Sequence, residues 1–278
     1  MTEQATAELT EAEFVKFSQL IEQEVGIHLS DAKKPLLLAR LGKRVRRLEL
    51  GSFSDYYDHV LEDANERVAM FDAISTNETR FFREPKHFEL LQTRVFPAMR
   101  AAAANGERPR TIRIWSAGCS TGEEPYSLAM LLLEHFDASE WDLRIDATDL
   151  STRVLDAART GVWPMRKATE IPKPLLRRFM LRGTGEQQGT FKAGQELRSI
   201  VRFGRLNLTD TRYAMPSNYD LILCRNVLIY FTNALRRHVV TNLIRHLSAG
   251  GHFFLGHAET LAGIVDGPRT VIPTVYVQ

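Results

Sequence analysis

From residue 111 onward, short apolar runs alternate with helical stretches, and this alternation restricts the fold more than any other feature of the sequence. The apolar runs are rich in β-branched and aromatic residues, which is typical of strands buried in a parallel sheet. They are TIRIWSAG, DLRIDATDL, NYDLILCRN and GGHFFLGHAE, and the tail TVIPTVYVQ supplies a last strand. Strands separated by helices predict a doubly wound α/β sheet.

The first 88 residues carry a different pattern, in which apolar side chains recur at helical spacing. In LTEAEFVKFSQLIEQEVG, Thr10 is a candidate N-cap and Gly26 a candidate helix end. No alternating strand pattern occurs in this part of the sequence. We therefore predict a helical domain over residues 1–88, including the start of a connector, and an α/β domain over residues 89–278.

One segment interrupts the alternation of strands and helices. Residues 178–203, RFMLRGTGEQQGTFKAGQELRSIVRF, contain short alternating runs separated by glycines. This pattern predicts a small antiparallel hairpin unit inserted into the α/β domain. An ordinary surface excursion is the simpler alternative.

Charge and cysteine content exclude several classes of protein. The 36 basic and 34 acidic side chains leave a net charge of +2, which does not favour nucleic acid or a membrane surface. Two cysteines are too few for a disulfide scaffold. The polar N-terminal stretch does not resemble a signal peptide, and no apolar run approaches the roughly 18 residues of a membrane span. We predict a cytoplasmic protein without membrane insertion.

The stretch WSAGCSTGEEPYS joins the first predicted strand to a helix through a glycine turn. Such turns commonly bind phosphate, but this one lacks the G-x-G-x-x-G and G-K-[ST] patterns and carries Glu123 and Glu124 at the helix start. Asp149, at the end of the second strand, is placed to accept ribose hydroxyls. An acidic turn suits S-adenosylmethionine, a phosphate-free nucleoside with a sulfonium. Interaction of the two acids with the helix dipole is the simpler alternative.

Two further stretches place polar side chains next to apolar ones. In STNETRFFREPKHF, Arg83 is a candidate for bidentate binding of a carboxylate, although a packed aromatic pair with solvated arginines would look the same. In ILCRNVLIYF, Arg225 and Asn226 follow a buried strand at the end where open α/β sheets bind ligands.

These stretches resemble the chemotaxis receptor glutamate methyltransferases, the CheR family. TNETRFFRE, WSAGCSTGEEPYS, ATDLS, LNL, CRNVLIYF and GGHFFLGHAE occur in family order and at close to family spacing. The resemblance implies a class I S-adenosylmethionine-dependent methyltransferase domain with a small antiparallel β-subdomain and an N-terminal all-helical domain. It implies methyl transfer to glutamate side chains of chemoreceptors, giving methyl esters for sensory adaptation. Carried over by motif, the cofactor contacts are Asn77, Thr79, Arg83, Glu124, Asp149, Asn207, Leu208, Asn226 and Val227.

The resemblance also suggests which part of the cofactor each of these residues contacts. Arg83 would meet the cofactor carboxylate, Asp149 the ribose and Asn207 the adenine, with Glu124 near the cationic end. A glutamate substrate is ionised at neutral pH, since its unperturbed pKa is about 4.3, so we predict no general base. Arg83 and Tyr230 are the candidates for orienting the acceptor. We predict no metal site, because the histidines show no metal-ligand spacing.

Two surfaces are candidates for binding the receptor, and we expect the enzyme to act as a monomer. The helix at residues 31–49 carries a basic stripe, Lys33, Arg40, Arg44 and Arg47, which would face an acidic receptor bundle; a solvated helix face is the alternative. The glycine-bearing insert resembles that of family members which bind a pentapeptide at the receptor's C-terminus.

Three other functions fit parts of the sequence. A nucleic-acid methyltransferase could use the basic helix as a phosphate track, but the near-neutral net charge argues against it. A non-catalytic cofactor-binding regulator would keep the same motifs. An NAD dehydrogenase fits poorly, because Glu124 is present and the dinucleotide fingerprint is absent.

Overall fold

Helices form the N-terminal part of the chain and recur between the strands of the second part. The computed structural model describes residues 8–75 and 77–278. Within those residues no helix combines the length and apolar character that crossing a membrane requires. The α-helices are α1 Glu11–Val25, α2 Lys34–Arg47, α3 Phe53–Glu62, α4 Ala64–Ile74, α5 Pro85–Leu90, α6 Phe96–Ala104, α7 Glu123–His135, α8 Thr152–Thr160, α9 Lys173–Phe179, α10 Gln195–Ile200 and α11 Asn233–Ile244. Shorter helical turns are Asp31–Lys33, Leu91–Val95, Met165–Glu170, Gly185–Gln187 and Leu228–Tyr230.

Helix α1 begins and ends as the sequence predicts. The Thr10 hydroxyl accepts the N–H of Glu13 at 3.2 Å, and the Glu13 carboxylate accepts the N–H of Thr10 at 2.9 Å, which forms a capping box. Gly26 closes the helix with a φ of +72°. A Cβ added there would lie 2.1 Å from Leu235 Cδ2, so the end of α1 packs directly on α11.

The strands form one large and one small sheet. They are β1 Thr111–Ala117, β2 Asp142–Asp149, β3 Val162–Pro164, β4 Met180–Arg182, β5 Thr190–Ala193, β6 Val201–Arg205, β7 Tyr219–Cys224, β8 Leu247–Leu255, β9 Arg269–Ile272 and β10 Val275–Val277. The large sheet has the order β6-β2-β1-β7-β8-β10-β9, in which the first five strands run parallel.

Both faces of the large sheet are buried, as expected for a doubly wound fold. Neighbouring side chains on β1 show this directly: Ile114 and Trp115 are both fully buried but belong to different apolar clusters, one on each face. A third cluster, which includes Phe17 and Tyr56, forms the core of the helical domain. The predicted α/β class with a helical N-terminal domain is therefore confirmed.

The tail forms two strands, where the sequence suggested one. Strands β9 and β10 pair antiparallel, and β10 also pairs antiparallel with β8. Pro273 and Thr274 make the turn between them, with Thr274 at a φ of +65°. Proline lacks a backbone N–H and Thr274 takes the left-handed conformation, so the run cannot continue as one strand.

The small sheet is antiparallel, as predicted, but its limits differ from residues 178–203. It has the order β3-β5-β4, so it draws its first strand from Val162–Pro164 and ends with Ala193. Residues 201–205 are β6, which pairs parallel with β2 at the edge of the large sheet. An edge strand is covered less completely than a central one, and β6 therefore shows the mixed polarity of a hairpin strand.

Candidate active site

The carboxyl ends of β1, β2 and β7 meet at the centre of the large sheet, and a cleft opens there. Strand β1 has β2 on one side and β7 on the other, so the chain reverses its direction of winding at this point. Together with the open solvent at its mouth, the cleft has a volume of about 1330 Å³. The cleft is lined by all nine predicted cofactor contacts: Asn77, Thr79, Arg83, Glu124, Asp149, Asn207, Leu208, Asn226 and Val227. Tyr230 and Lys33 line it as well. The individual roles of these residues remain predictions.

The turn after β1 has no room for larger side chains. Gly118 and Gly122 adopt φ values of +90° and +93°, a region that glycine enters without strain. A Cβ on Gly118 would lie 2.5 Å from Val227 Cγ2. Gly118 and Val227 are therefore in close contact, and both residues line the cleft.

Asp149 is fixed by backbone donors from the turns after β1 and β2. Its two carboxylate oxygens accept the N–H of Ser120 at 2.8 Å and the N–H of Ser151 at 3.0 Å. Burial raises the pKa of Asp149, while these hydrogen bonds act in the opposite direction. Each carboxylate oxygen can accept more than one hydrogen bond, so the side chain retains capacity for two ribose hydroxyls.

The two glutamates at the start of α7 have different environments. Glu123 is fully buried, pairs with Lys167 and accepts the hydroxyl of Thr121 at 2.7 Å. Glu124 lines the cleft, where it accepts the Ser116 hydroxyl at 2.7 Å. Glu123 is thus an ion-paired core residue, and Glu124 is the acid that a ligand would meet.

Arg225, to which sequence reasoning gave no partner, is the centre of an ion-pair network beside the cleft. Its side chain is 2% exposed and lies 3.0 Å from both Glu84 Oε2 and Glu124 Oε2. It also donates to the backbone carbonyl of Arg83. A buried arginine after an apolar strand signals that carboxylates must be near, but the sequence does not say which ones.

The TNETRFFR loop is hydrogen-bonded to the turn after β1 and to the helical turn Met165–Glu170. The Ser120 hydroxyl donates to the carbonyl of Asn77 at 3.1 Å, and the Phe81 N–H donates to Glu170 Oε2 at 2.8 Å. Arg83 is half-buried and lines the cleft, with one guanidinium nitrogen 3.0 Å from a carbonyl of the same loop. The backbone carbonyl of Arg83 accepts a hydrogen bond from Arg225.

The helical domain covers the cleft through backbone contacts. Asn207 Nδ2 donates to the carbonyl of Glu24 at 2.7 Å, and the His28 N–H donates to the carbonyl of Tyr230 at 3.0 Å. The amide of Asn207 is therefore already bonded to the end of α1. Any contact it makes with an adenine would use the remaining capacity of that amide.

Two family models match the chain, one in its N-terminal part and one in the remainder. The one described as the CheR methyltransferase all-alpha domain matches residues 12–75, and the one described as the CheR methyltransferase SAM binding domain matches residues 77–276. The chain belongs to the CheR methyltransferase family. It is an S-adenosylmethionine-dependent methyltransferase, as the motifs predict.

Relatives within the CheR family align over nearly the whole chain. Chemotaxis protein methyltransferase 2 of Pseudomonas aeruginosa is 38% identical over 96% of this chain and 93% of its own length. The chemotaxis protein methyltransferase of Escherichia coli is 37% identical over 91% and 86%. Among solved structures, the glycopeptide N-methyltransferase MtfA with S-adenosylmethionine is 17% identical, covers 62% of this chain and 55% of its own, and has a TM-score of 0.34.

The side chains at the cleft have the polar character that the CheR family's cofactor requires. Asn77 Nδ2 is buried and has no hydrogen-bond partner among the described residues, which is costly unless a ligand supplies an acceptor. Asp149, Glu124 and Arg83 offer two anions and one cation to a ligand with a ribose, an ammonium and a carboxylate. A carboxylate suits the ribose hydroxyls, a second suits the ammonium, and the guanidinium suits the carboxylate of the cofactor.

One group of side chains in residues 8–75 and 77–278 has metal-ligand atoms close together: Glu84, His87 and His257. Burial lowers the pKa of His87 to about 4, so its ring is neutral at pH 7. The carboxylate of Glu84, however, already binds the guanidinium of Arg225 and the N–H of His257 at 3.0 Å. A guanidinium on the same oxygen repels a cation, so we interpret this group as part of the ion-pair network.

The basic helix α2 does not present the whole predicted stripe to solvent. Arg44 binds Glu66 with two guanidinium nitrogens, and this interaction raises the pKa of Arg44. Arg40 donates to the carbonyl of Ile74. Both side chains thus join α2 to α4, whereas Lys33 lines the cleft and Arg47 is exposed. The helix itself is shorter than predicted, Lys34–Arg47, with a 3₁₀ turn before it.

Proposed function

We propose that this enzyme transfers the methyl group of S-adenosylmethionine to glutamate side chains of a chemoreceptor, with the cofactor held in the cleft at the carboxyl ends of β1, β2 and β7. The observation that carries the proposal is the convergence of Asp149, Glu124 and Arg83 on one cleft. The names of the relatives in Pseudomonas aeruginosa and Escherichia coli, both chemotaxis protein methyltransferases, support the choice of substrate.

The cleft residues would promote the reaction by aligning the acceptor carboxylate with the methyl group of the cofactor. Bound S-adenosylmethionine supplies an electrophilic methyl group. The acceptor glutamate is ionised at neutral pH, so no side chain has to remove a proton. Arg83 and Tyr230 line the cleft and would orient the acceptor, whose oxygen must come within about 3–3.5 Å of the methyl carbon, in line with the sulfur. The helical domain, bonded to Asn207 and Tyr230, would exclude water from this step.

The test is methyl transfer from labelled S-adenosylmethionine to a receptor cytoplasmic fragment, with RNA as the competing acceptor. Label on the receptor that is released by mild base identifies a glutamate methyl ester and supports the proposal. Label on RNA would show that the enzyme methylates nucleic acid. Cofactor binding without methyl transfer to either acceptor would indicate a non-catalytic regulator.

Receptor docking would use the exposed end of α2, because Arg40 and Arg44 are committed to intramolecular contacts. Lys43, Arg46 and Arg47 are exposed and lie within two turns of one another. We predict that replacing all three by glutamate raises the KM for the receptor about tenfold at low ionic strength, with a smaller effect in higher salt. Steady-state kinetics at two salt concentrations measure this.

The control for that triple variant is Arg44→Glu. It places a second carboxylate beside the buried Glu66 and should lower the thermal midpoint, whereas the triple variant should not. An unchanged receptor KM in the triple variant at low salt would show that this face of α2 does not bind the receptor.

The small sheet has one edge suited to receive a peptide strand. Its β3 edge contains Pro164, which has no N–H to offer, while the β4 edge carries Leu181 with 60% of its surface exposed. We predict that a receptor C-terminal pentapeptide adds to β4, and that Leu181→Asp weakens its binding. Calorimetric titration with a scrambled peptide as control measures this, and absence of binding at high micromolar peptide would contradict tethering.

A further inference from the structure

A buried carboxylate that does not line the cofactor cleft binds the turn after β7. Glu259 is 7% exposed and lies just beyond the end of β8. Its Oε2 accepts the N–H of Gly256 at 2.7 Å and that of Asn226 at 2.9 Å, and its Oε1 accepts the N–H of Ile229 at 3.2 Å. One side chain thus holds three backbone groups from two separate segments.

The turn after β7 has backbone N–H groups that find their acceptor outside the turn, on Glu259. Asn226 has a φ of +60°, in the left-handed region that residues with a side chain seldom adopt. The 3₁₀ turn Leu228–Tyr230 follows at once, and the N–H groups that begin a helical turn have no partner within it. The Glu259 carboxylate accepts one N–H from each of these two elements.

The same turn carries side chains into the cleft with little tolerance for movement. Asn226, Val227 and Tyr230 all line the cleft. A Cβ on Gly118 would lie 2.5 Å from Val227 Cγ2, and one on Gly256 would lie 2.3 Å from Asn226 Nδ2. The turn is therefore in close contact with the glycine turn after β1 on one side and with the end of β8 on the other.

We propose that Glu259 is a positioning residue for methyl transfer: by fixing the backbone of Asn226 and Ile229 it sets the places of Asn226 and Tyr230 in the cofactor cleft. This inference rests on the proposed function. Burial raises the pKa of Glu259, while its hydrogen bonds from backbone N–H groups act in the opposite direction.

The test is Glu259→Gln in the full-length enzyme, with S-adenosylhomocysteine as the ligand. Glutamine keeps the shape, but its amide nitrogen donates and cannot accept the N–H groups that face it. We expect the Kd for S-adenosylhomocysteine, measured by calorimetry well below the thermal midpoint, to rise about tenfold, because bonds to a charged acceptor are lost. We also expect kcat to fall and the cofactor KM to rise, with Glu259→Asp intermediate in both.

Asp146→Asn is the matched control. Asp146 is an equally buried acid of the same domain, 5% exposed, and binds Arg144 and the Tyr219 hydroxyl without lining the cleft. Asp146→Asn should lower the thermal midpoint and leave the Kd for S-adenosylhomocysteine unchanged. If Glu259→Gln behaves in the same way, with a Kd within twofold of wild type, Glu259 only stabilises the fold and the proposal is wrong. If Glu259→Gln does not fold, the same comparison with Glu259→Asp decides. Failure of the wild-type enzyme to bind S-adenosylhomocysteine would instead overturn the proposed function.

Discussion

Arg225→Ala is expected to abolish methyl transfer and to lower the free energy of unfolding by about 3–5 kcal/mol. The guanidinium is almost completely buried between Glu84 and Glu124, so its removal leaves two carboxylates close together without a counter-ion. The same substitution frees the backbone carbonyl of Arg83, which the guanidinium binds in the folded enzyme. Chemical denaturation and the receptor methylation assay measure the two effects.

The control for Arg225→Ala is Arg178→Ala. Arg178 pairs with Glu134 on the surface, where the two side chains are 53% and 41% exposed, and such pairs contribute at most about 1 kcal/mol. Equal stability of the two variants would show that the Arg225 network is dispensable. Arg225→Lys should not restore activity, because a single ammonium cannot bind two carboxylates and a carbonyl in the geometry of a guanidinium.

Arg83→Ala is expected to raise the Kd for S-adenosylhomocysteine about 100-fold, because a bidentate bond to the ligand carboxylate contributes two charge-assisted hydrogen bonds. The loss should depend on that carboxylate. We therefore expect the variant to bind 5′-methylthioadenosine, which has the same nucleoside but no carboxylate, as well as the wild type does. Calorimetry with both ligands measures the difference.

Arg80→Ala is the demanding control, since Arg80 lies in the same loop and also lines the cleft, but is more exposed. It should change both affinities little. If Arg83→Ala weakens the two ligands equally, Arg83 supports the cleft as a whole and does not recognise the carboxylate. If Arg80→Ala raises the Kd for S-adenosylhomocysteine more than Arg83→Ala does, Arg80 and not Arg83 binds the ligand carboxylate.

Local sequence patterns were sufficient for most of the architecture. The capping box at Thr10, the glycine turn after β1 and the apolar runs of the parallel strands each depend on residues close in sequence. Where the local pattern was ambiguous the prediction was wrong: β6 looks like a hairpin strand, and only its pairing with β2 assigns it to the large sheet. The tail likewise reads as one strand until Thr274 turns it.

The nine candidate cofactor contacts were predictable through the resemblance to the CheR family, because each lies in one of its motifs, and all nine line the cleft. Their supporting partners were not. Arg225 meets acids 101 and 141 positions away in the sequence, and Arg44 meets one 22 positions away. Nothing in the local pattern distinguishes a basic side chain that faces solvent from one that is paired in the interior.

The sequence by itself determined the α/β class and the helical N-terminal domain, because periodicity, caps and turn residues act over a few positions. The cofactor followed from the resemblance of its motifs to the CheR family, and the acidic turn argued against a diphosphate ligand. Tertiary structure decided which of the two neighbouring acids meets the cleft, Glu124, and which is paired in the core, Glu123. It also decided that Arg44 joins two helices and that Glu259 holds the turn after β7. The physical reason is that burial and ion pairing depend on which distant segments the fold brings into contact.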